Sequence, residues 1–133
     1  MCATFRRASR ALTQHYDEAL RPLGLTPTQF TILQALSRTG ELLQGTLGEF
    51  LAMDSTTLTR TLAIMSQHGW IAKRYGKDRR ERWLRLSKAG EAELARALPL
   101  WDRVQQNLRK ELGNKRWDKL LKLGNQVTSA VTE

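Results

Sequence analysis

The chain has 133 residues, enough for one cooperative domain with its own core and too few to expect two. Its 22 Lys and Arg outnumber 13 Asp and Glu to leave a formal charge of +9, an imbalance that favours a polyanionic partner such as nucleic acid or acidic lipid. Uncharged apolar runs are only a few residues long, far below the roughly 20 that a spanning helix needs, and no apolar leader core follows the N-terminus, so a soluble, cytoplasmic chain with no membrane partner is expected.

Phe5, Ala8, Leu12 and Ala19 fall near helical spacing, and the pattern stops at Pro22 and Gly24, which predicts a first helix. Thr26-Pro27-Thr28-Gln29 is the sequence of a capping box and starts a second helix, whose apolar positions Phe30, Leu33 and Leu36 lead to a glycine stop at Thr39-Gly40. A loop through Leu43 is expected next. Leu47, Phe50 and Leu51 repeat at three and four and predict a short third helix, weakened by about 1 kcal/mol at each of Gly45 and Gly48. Ala52-Met53-Asp54 is the length of a tight turn, with Asp54 placed to cap a fourth helix that runs to about His68. Leu58, Leu62 and Met65 form the apolar stripe of that helix, leaving Ser55, Thr56, Thr59, Arg60, Ala63 and Gln67 on other faces.

Gly69 ends the fourth helix. Trp70 to Tyr75 and Glu81 to Leu86 then read as two strands joined by the turn Gly76-Lys77-Asp78-Arg79-Arg80, with Leu84 and Leu86 on one side and Trp83 and Arg85 on the other. Ser87 caps a long helix with apolar positions Leu94, Leu98, Trp101, Leu108 and Leu112, expected to kink at Pro99. Gly113-Asn114 stops and restarts the chain, and Trp117, Leu120, Leu121, Val127 and Val131 supply the stripe of a final helix. The predicted fold is mainly α with a small β-hairpin wing. Residues 26–87 form a winged helix-turn-helix core inside a single domain, and residues 1–25 and 88–133 form flanking helices. Those flanking helices carry more apolar surface than a chain this small can cover alone, which predicts a homodimer.

Short polar side chains at a helix start let the backbone approach a DNA groove, and Ser55, Thr56, Thr57, Thr59 and Arg60 meet that need. Arg60 has a planar fork that fits guanine or phosphate. Lys73, Arg74, Lys77, Arg79, Arg80, Arg82 and Arg85 place seven cations in thirteen residues, opposed only by Asp78 and Glu81. Such a density of like charge repels unless an anion such as DNA neutralises it. Asp78 either orients Arg80 or Arg82 through a charge-assisted bond or simply shapes the turn. Neither paired carboxylates, a phosphate-cradling glycine loop nor a nucleophile with its base stands out, so no enzyme and no cofactor is expected. Cys2 is the only cysteine and His15 and His68 have no ligand spacing, which also excludes a zinc site built on cysteine pairs. The readings that remain are a sequence-specific regulator of double-stranded DNA and a nonspecific architectural nucleic-acid binder.

Residues 24–90 resemble the winged-helix core of the MarR family of bacterial transcriptional regulators. The likeness is carried by Thr26-Pro27-Thr28-Gln29-Phe30, by Ser55-Thr56-Thr57-Leu58-Thr59-Arg60 at the recognition helix, and by Asp78-Arg79-Arg80-Glu81-Arg82 and Leu86-Ser87-Lys88-Ala89-Gly90 at the wing and its exit. Gly48 departs from it, standing where the family usually has alanine. The resemblance implies a homodimer formed by the terminal helices, bound to a pseudo-palindrome and usually repressing a nearby promoter.

The signal such a regulator senses has two candidates. The segment Cys2 to Tyr16 is similar to the first helix of the organic-peroxide-sensing OhrR branch, which implies Cys2 as a redox sensor with Tyr16 as a hydrogen-bond partner of its thiolate. Arg6 replaces the second tyrosine of that branch. The other candidate is a small aromatic anion bound between the terminal helices and the core, in a pocket lined by Arg10, His15, Tyr16 and Trp101.

Overall fold

Thr26 closes the capping box expected of it: its hydroxyl accepts from the Gln29 amide at 3.1 Å while the Gln29 side chain accepts from the Thr26 N–H at 2.9 Å. That cap opens α2 (Pro27–Thr39), which follows α1 (Cys2–Leu20) after a short 3-10 turn, Arg21–Leu23. The computed structural model describes residues 1–132. It continues through β1 (Leu42–Leu43), α3 (Gln44–Leu51), α4 (Ser55–Gln67), β2 (Ile71–Tyr75), β3 (Arg82–Leu86), α5 (Lys88–Leu112) and α6 (Asn114–Val131).

The loop expected through Leu43 contains a strand. Leu42 and Leu43 pair antiparallel with Leu84 and Trp83, so β3 is the centre of a three-stranded sheet of order β1-β3-β2. A two-residue strand is too short to show an alternating pattern, and its partner lies about forty residues away in the chain, which is why local reading missed it. The expected strands are also trimmed: Trp70 precedes β2, where its carbonyl receives the Ser87 N–H at 3.0 Å, and Glu81 belongs to the turn, its N–H donating to the Asp78 carbonyl at 2.9 Å. Leu84 is buried on the inner face. Trp83 faces the other way and is half-buried beneath Arg74, whose guanidinium sits 5.1 Å from its ring centre.

The core runs from Leu20 on α1 through Phe30, Ile32, Leu33 and Leu36 on α2 and Leu47 on α3 to Leu58, Leu62 and Met65 on α4, closed by Leu84 on β3 and by Leu94 and Ala97 on α5. Full burial of each large side chain contributes about 1.5–3 kcal/mol, more than the cost of a glycine in α3. Gly48 lies where α3 meets α4, with the Leu58 Cδ2 atom 3.2 Å from where a Cβ would be. Phe50 breaks the expected stripe of α3, being 69% exposed while Leu47 and Gly48 turn inward.

α5 passes through Pro99 as a single 25-residue helix. Its start is docked by Ser87, whose hydroxyl accepts from the Gly90 N–H at 3.1 Å and donates to the Gly69 carbonyl. Gly69 takes a positive φ of 76° to make that junction. Along the outer ends of the chain Leu12, Leu120, Leu121, Leu123 and Val131 remain exposed. No helix among the described residues is long and apolar enough to cross a membrane.

Candidate nucleic-acid interface and cavity

Asp54 sets the start of α4. Its carboxylate accepts from the Thr57 N–H and from the Thr57 hydroxyl, both at 2.8 Å, and these bonds hold its pKa below the ordinary carboxylate value. The chain reaches Asp54 through Ala52, which adopts a left-handed conformation at φ 53° and turns α3 into α4. With Leu58, Leu62 and Met65 buried, Ser55, Thr56, Thr57, Thr59 and Arg60 are all exposed. They are not equivalent. Thr57 commits its hydroxyl proton to Asp54, while Thr59 accepts a bond from the Gln44 side-chain amide at 3.3 Å.

The hairpin brings two of its cations, Arg80 and Arg82, beside the start of α4. A groove of about 1000 Å³ is bordered by Gln44 and Glu49 on α3, by Asp54 and Ser55 at the start of α4, and by Arg80 and Arg82 of the hairpin. Lys73, Lys77, Arg79 and Arg85 are exposed as well. Arg74 differs from them, because its guanidinium is bonded to the Glu41 carboxylate and stacked on Trp83. Asp78 shapes the turn: its carboxylate accepts from the backbone N–H of Arg80 at 3.0 Å and pairs with neither the Arg80 nor the Arg82 guanidinium.

A second concavity, of about 530 Å³, opens between the flanking helices and α2, walled by Tyr16 of α1, Gln34 and Arg38 of α2, Trp101, Asp102 and Gln105 of α5, and Trp117 of α6 among others. Trp101 is sandwiched between Phe30, with ring centres 4.0 Å apart, and Tyr16, at 4.1 Å. The Tyr16 hydroxyl donates to the Gln105 side-chain oxygen, and burial pushes its pKa up, so the phenol stays neutral at ordinary pH.

Of the expected pocket residues, Tyr16 and Trp101 meet here and Arg10 and His15 do not. Arg10 lies six residues before Tyr16 on α1 and lines a separate hollow with Cys2, Phe5, Arg6 and Ser9, whereas His15, one residue before Tyr16, is turned about 100° round the helix and is exposed. The guanidinium of this cavity is that of Arg38. Cys2 is exposed and cannot reach Tyr16 of its own chain, since fourteen residues of one helix separate them by about 21 Å. Sequence reasoning missed Gln44 and Arg38; the helical offset between α1 positions was the signal that could have moved the choice of cation.

The sequence pattern of the MarR family matches residues 23–81. The transcriptional regulator MosR of M. tuberculosis, solved in complex with DNA, superposes at a TM-score of 0.88 with 36% identity, covering 98% of this chain and 94% of that one. This chain belongs to the MarR family. Among other members, a mutant MarR from E. coli solved with operator DNA has the same fold at a TM-score of 0.83 and 24% identity, covering 94% of this chain and 91% of that one. The HTH-type transcriptional regulator YwoH of Bacillus subtilis is 31% identical over 85 residues, 64% of this chain, and the match spans 62% of YwoH. Within the MarR fold, Thr26-Pro27-Thr28-Gln29 is the box that starts α2, and Asp78 to Arg82 leads from the hairpin turn into β3.

Proposed function

We propose that this MarR-family chain is a homodimeric repressor that binds a pseudo-palindromic DNA site, with α4 in a major groove and the hairpin cations along the adjacent backbone or minor groove. The observation that carries this reading is the shared groove: the exposed start of α4 and the guanidinium groups of Arg80 and Arg82 border one concavity. Exposed Ser55, Thr56, Thr59 and Arg60 supply contacts to bases and phosphates, and Lys73, Lys77, Arg79, Arg80 and Arg82 neutralise backbone charge. MosR, which was solved with DNA, is similar along nearly the whole length and supports the same partner. The apolar side chains Leu12, Leu120, Leu121 and Leu123 provide the surface that a second copy covers, and because the first three also line the cavity beside Trp101, the second copy forms part of that cavity's wall.

The test is affinity at one fixed salt concentration for the inverted repeats of the upstream region against random duplex. A regulator shows a specificity ratio of roughly 10³ or more, and a ratio near one with steep salt dependence makes the chain a nonspecific architectural binder instead.

The effector we assign is a small aromatic carboxylate, held in the cavity by the Arg38 guanidinium and the rings of Tyr16 and Trp101. This assignment is favoured over oxidation of Cys2 because Tyr16 is bonded to Gln105 and far from the thiol of its own chain. Release of DNA by benzoate but not by an organic peroxide supports it. Release by peroxide that Cys2→Ser abolishes overturns it.

A further inference from the structure

Four helical threonines, and Thr132 just past the end of α6, give their hydroxyl proton to the backbone carbonyl four residues earlier: Thr31 to Pro27, Thr39 to Ala35, Thr61 to Thr57, Thr128 to Gly124 and Thr132 to Thr128. This is the usual fate of a threonine hydroxyl in a helix. Thr59 of α4 is held differently. The side-chain N–H of Gln44 donates to its oxygen from α3 at 3.3 Å, and the Thr59 hydroxyl makes no bond to Ser55, four residues before it. A hydroxyl has one proton and two lone pairs, so a donor on one lone pair leaves the proton for an external acceptor.

The placement of Gln44 is itself fixed. It is the first residue of α3, directly after Leu42 and Leu43, which are paired with β3, the strand that also carries Arg82. Its side-chain oxygen is buried without a partner. The nitrogen end of the amide is the one that meets Thr59. Gln44 also borders the groove shared by α4 and the hairpin.

We infer that Gln44 is a positioning residue that makes Thr59 a hydrogen-bond donor toward an acceptor atom on bound DNA. This rests on the reading that α4 enters a DNA groove. The matching acceptors are guanine O6 and N7, adenine N7 and thymine O4 at base edges, or a phosphate oxygen; the cytosine amino group is a donor and is disfavoured opposite Thr59.

The test is a double-mutant cycle read with the duplex that the wild-type chain selects from a random pool. Gln44→Ala weakens binding by about 2- to 10-fold per half-site, and the same change has no effect in a Thr59→Val background, where no hydroxyl remains to be oriented. Gln44→Met, which keeps the length of the side chain without its donor, behaves as Gln44→Ala does, and Thr59→Ser keeps the dependence on Gln44. A loss concentrated at one base pair of each half-site identifies a base acceptor, and a loss uniform across duplex variants identifies a phosphate. Equal losses in the Thr59 and Val backgrounds, or none in either, overturn the inference while leaving the DNA reading intact. Failure of the wild-type chain to select any sequence overturns both.

Discussion

Gly90→Ala sets helix propensity against close packing. A Cβ at position 90 lies 2.0 Å from the Trp70 carbonyl oxygen and 3.3 Å from the Leu86 Cδ2 atom, so the first turn of α5 has to retreat from the α4–β2 junction by about 1 Å or more. The obstacle is backbone, not the end of a flexible side chain, and the same carbonyl receives the Ser87 N–H. Overpacking of this kind costs about 1–3 kcal/mol and a weakened backbone bond about 1 kcal/mol, against a gain of about 0.5–1 kcal/mol for replacing glycine in a helix. The expected net loss is about 1–3 kcal/mol. Urea unfolding at one protein concentration then shows a midpoint lowered by roughly 1 M with the slope unchanged. Gly45→Ala is the control, because nothing lies within 4 Å of its Cβ position on α3, and it raises the midpoint slightly. A Gly90→Ala chain as stable as wild type refutes the docking described for α5.

Arg80→Ala lowers the slope of log affinity against log salt by about 0.9 per protomer, whereas Arg74→Ala leaves the slope unchanged and lowers the urea midpoint, because Arg74 is engaged by Glu41 and Trp83; equal slope losses contradict this division. Asp54 has a folded pKa held below its ordinary value, so its charge stabilises the folded chain fully above about pH 4 and less as pH falls through the folded value. The stability difference between wild type and Asp54→Asn, followed by thermal unfolding, therefore shrinks on acidification below pH 4, and a constant difference argues against the charged cap. Arg38→Ala abolishes the release of DNA by benzoate while Arg10→Ala does not; the reverse pattern moves the effector site to the first turns of α1.

The features legible in the sequence are those written in short local spacings. The capping box at Thr26 and Gln29, the Asp54 cap, the stripe of Leu58, Leu62 and Met65, and the Ser87 start of α5 all depend on neighbours within one or two turns. Contacts between distant segments were not legible. The pairing of Leu42 and Leu43 with β3 leaves no alternating signature in two residues, and the exposure of Phe50 follows from how α3 is rolled against α4 at Gly48. The cavity shows the same division: Tyr16 and Trp101 were identified by type, but the choice of Arg38 over Arg10 depends on how α2 crosses the flanking helices. The bond between Gln44 and Thr59 spans fifteen residues and a helix-turn-helix bend, beyond any local pattern.

In the proposed complex two chains present paired α4 helices and hairpins to one face of a duplex. Hydroxyl-radical footprinting on the selected duplex, with stoichiometry read by sedimentation, tests it directly. The expected result is two chains per site and two symmetric protected half-sites centred about one helical turn, or a multiple of it, apart. One bound chain with a single protected patch, or protection that spreads along the duplex without a boundary, contradicts it.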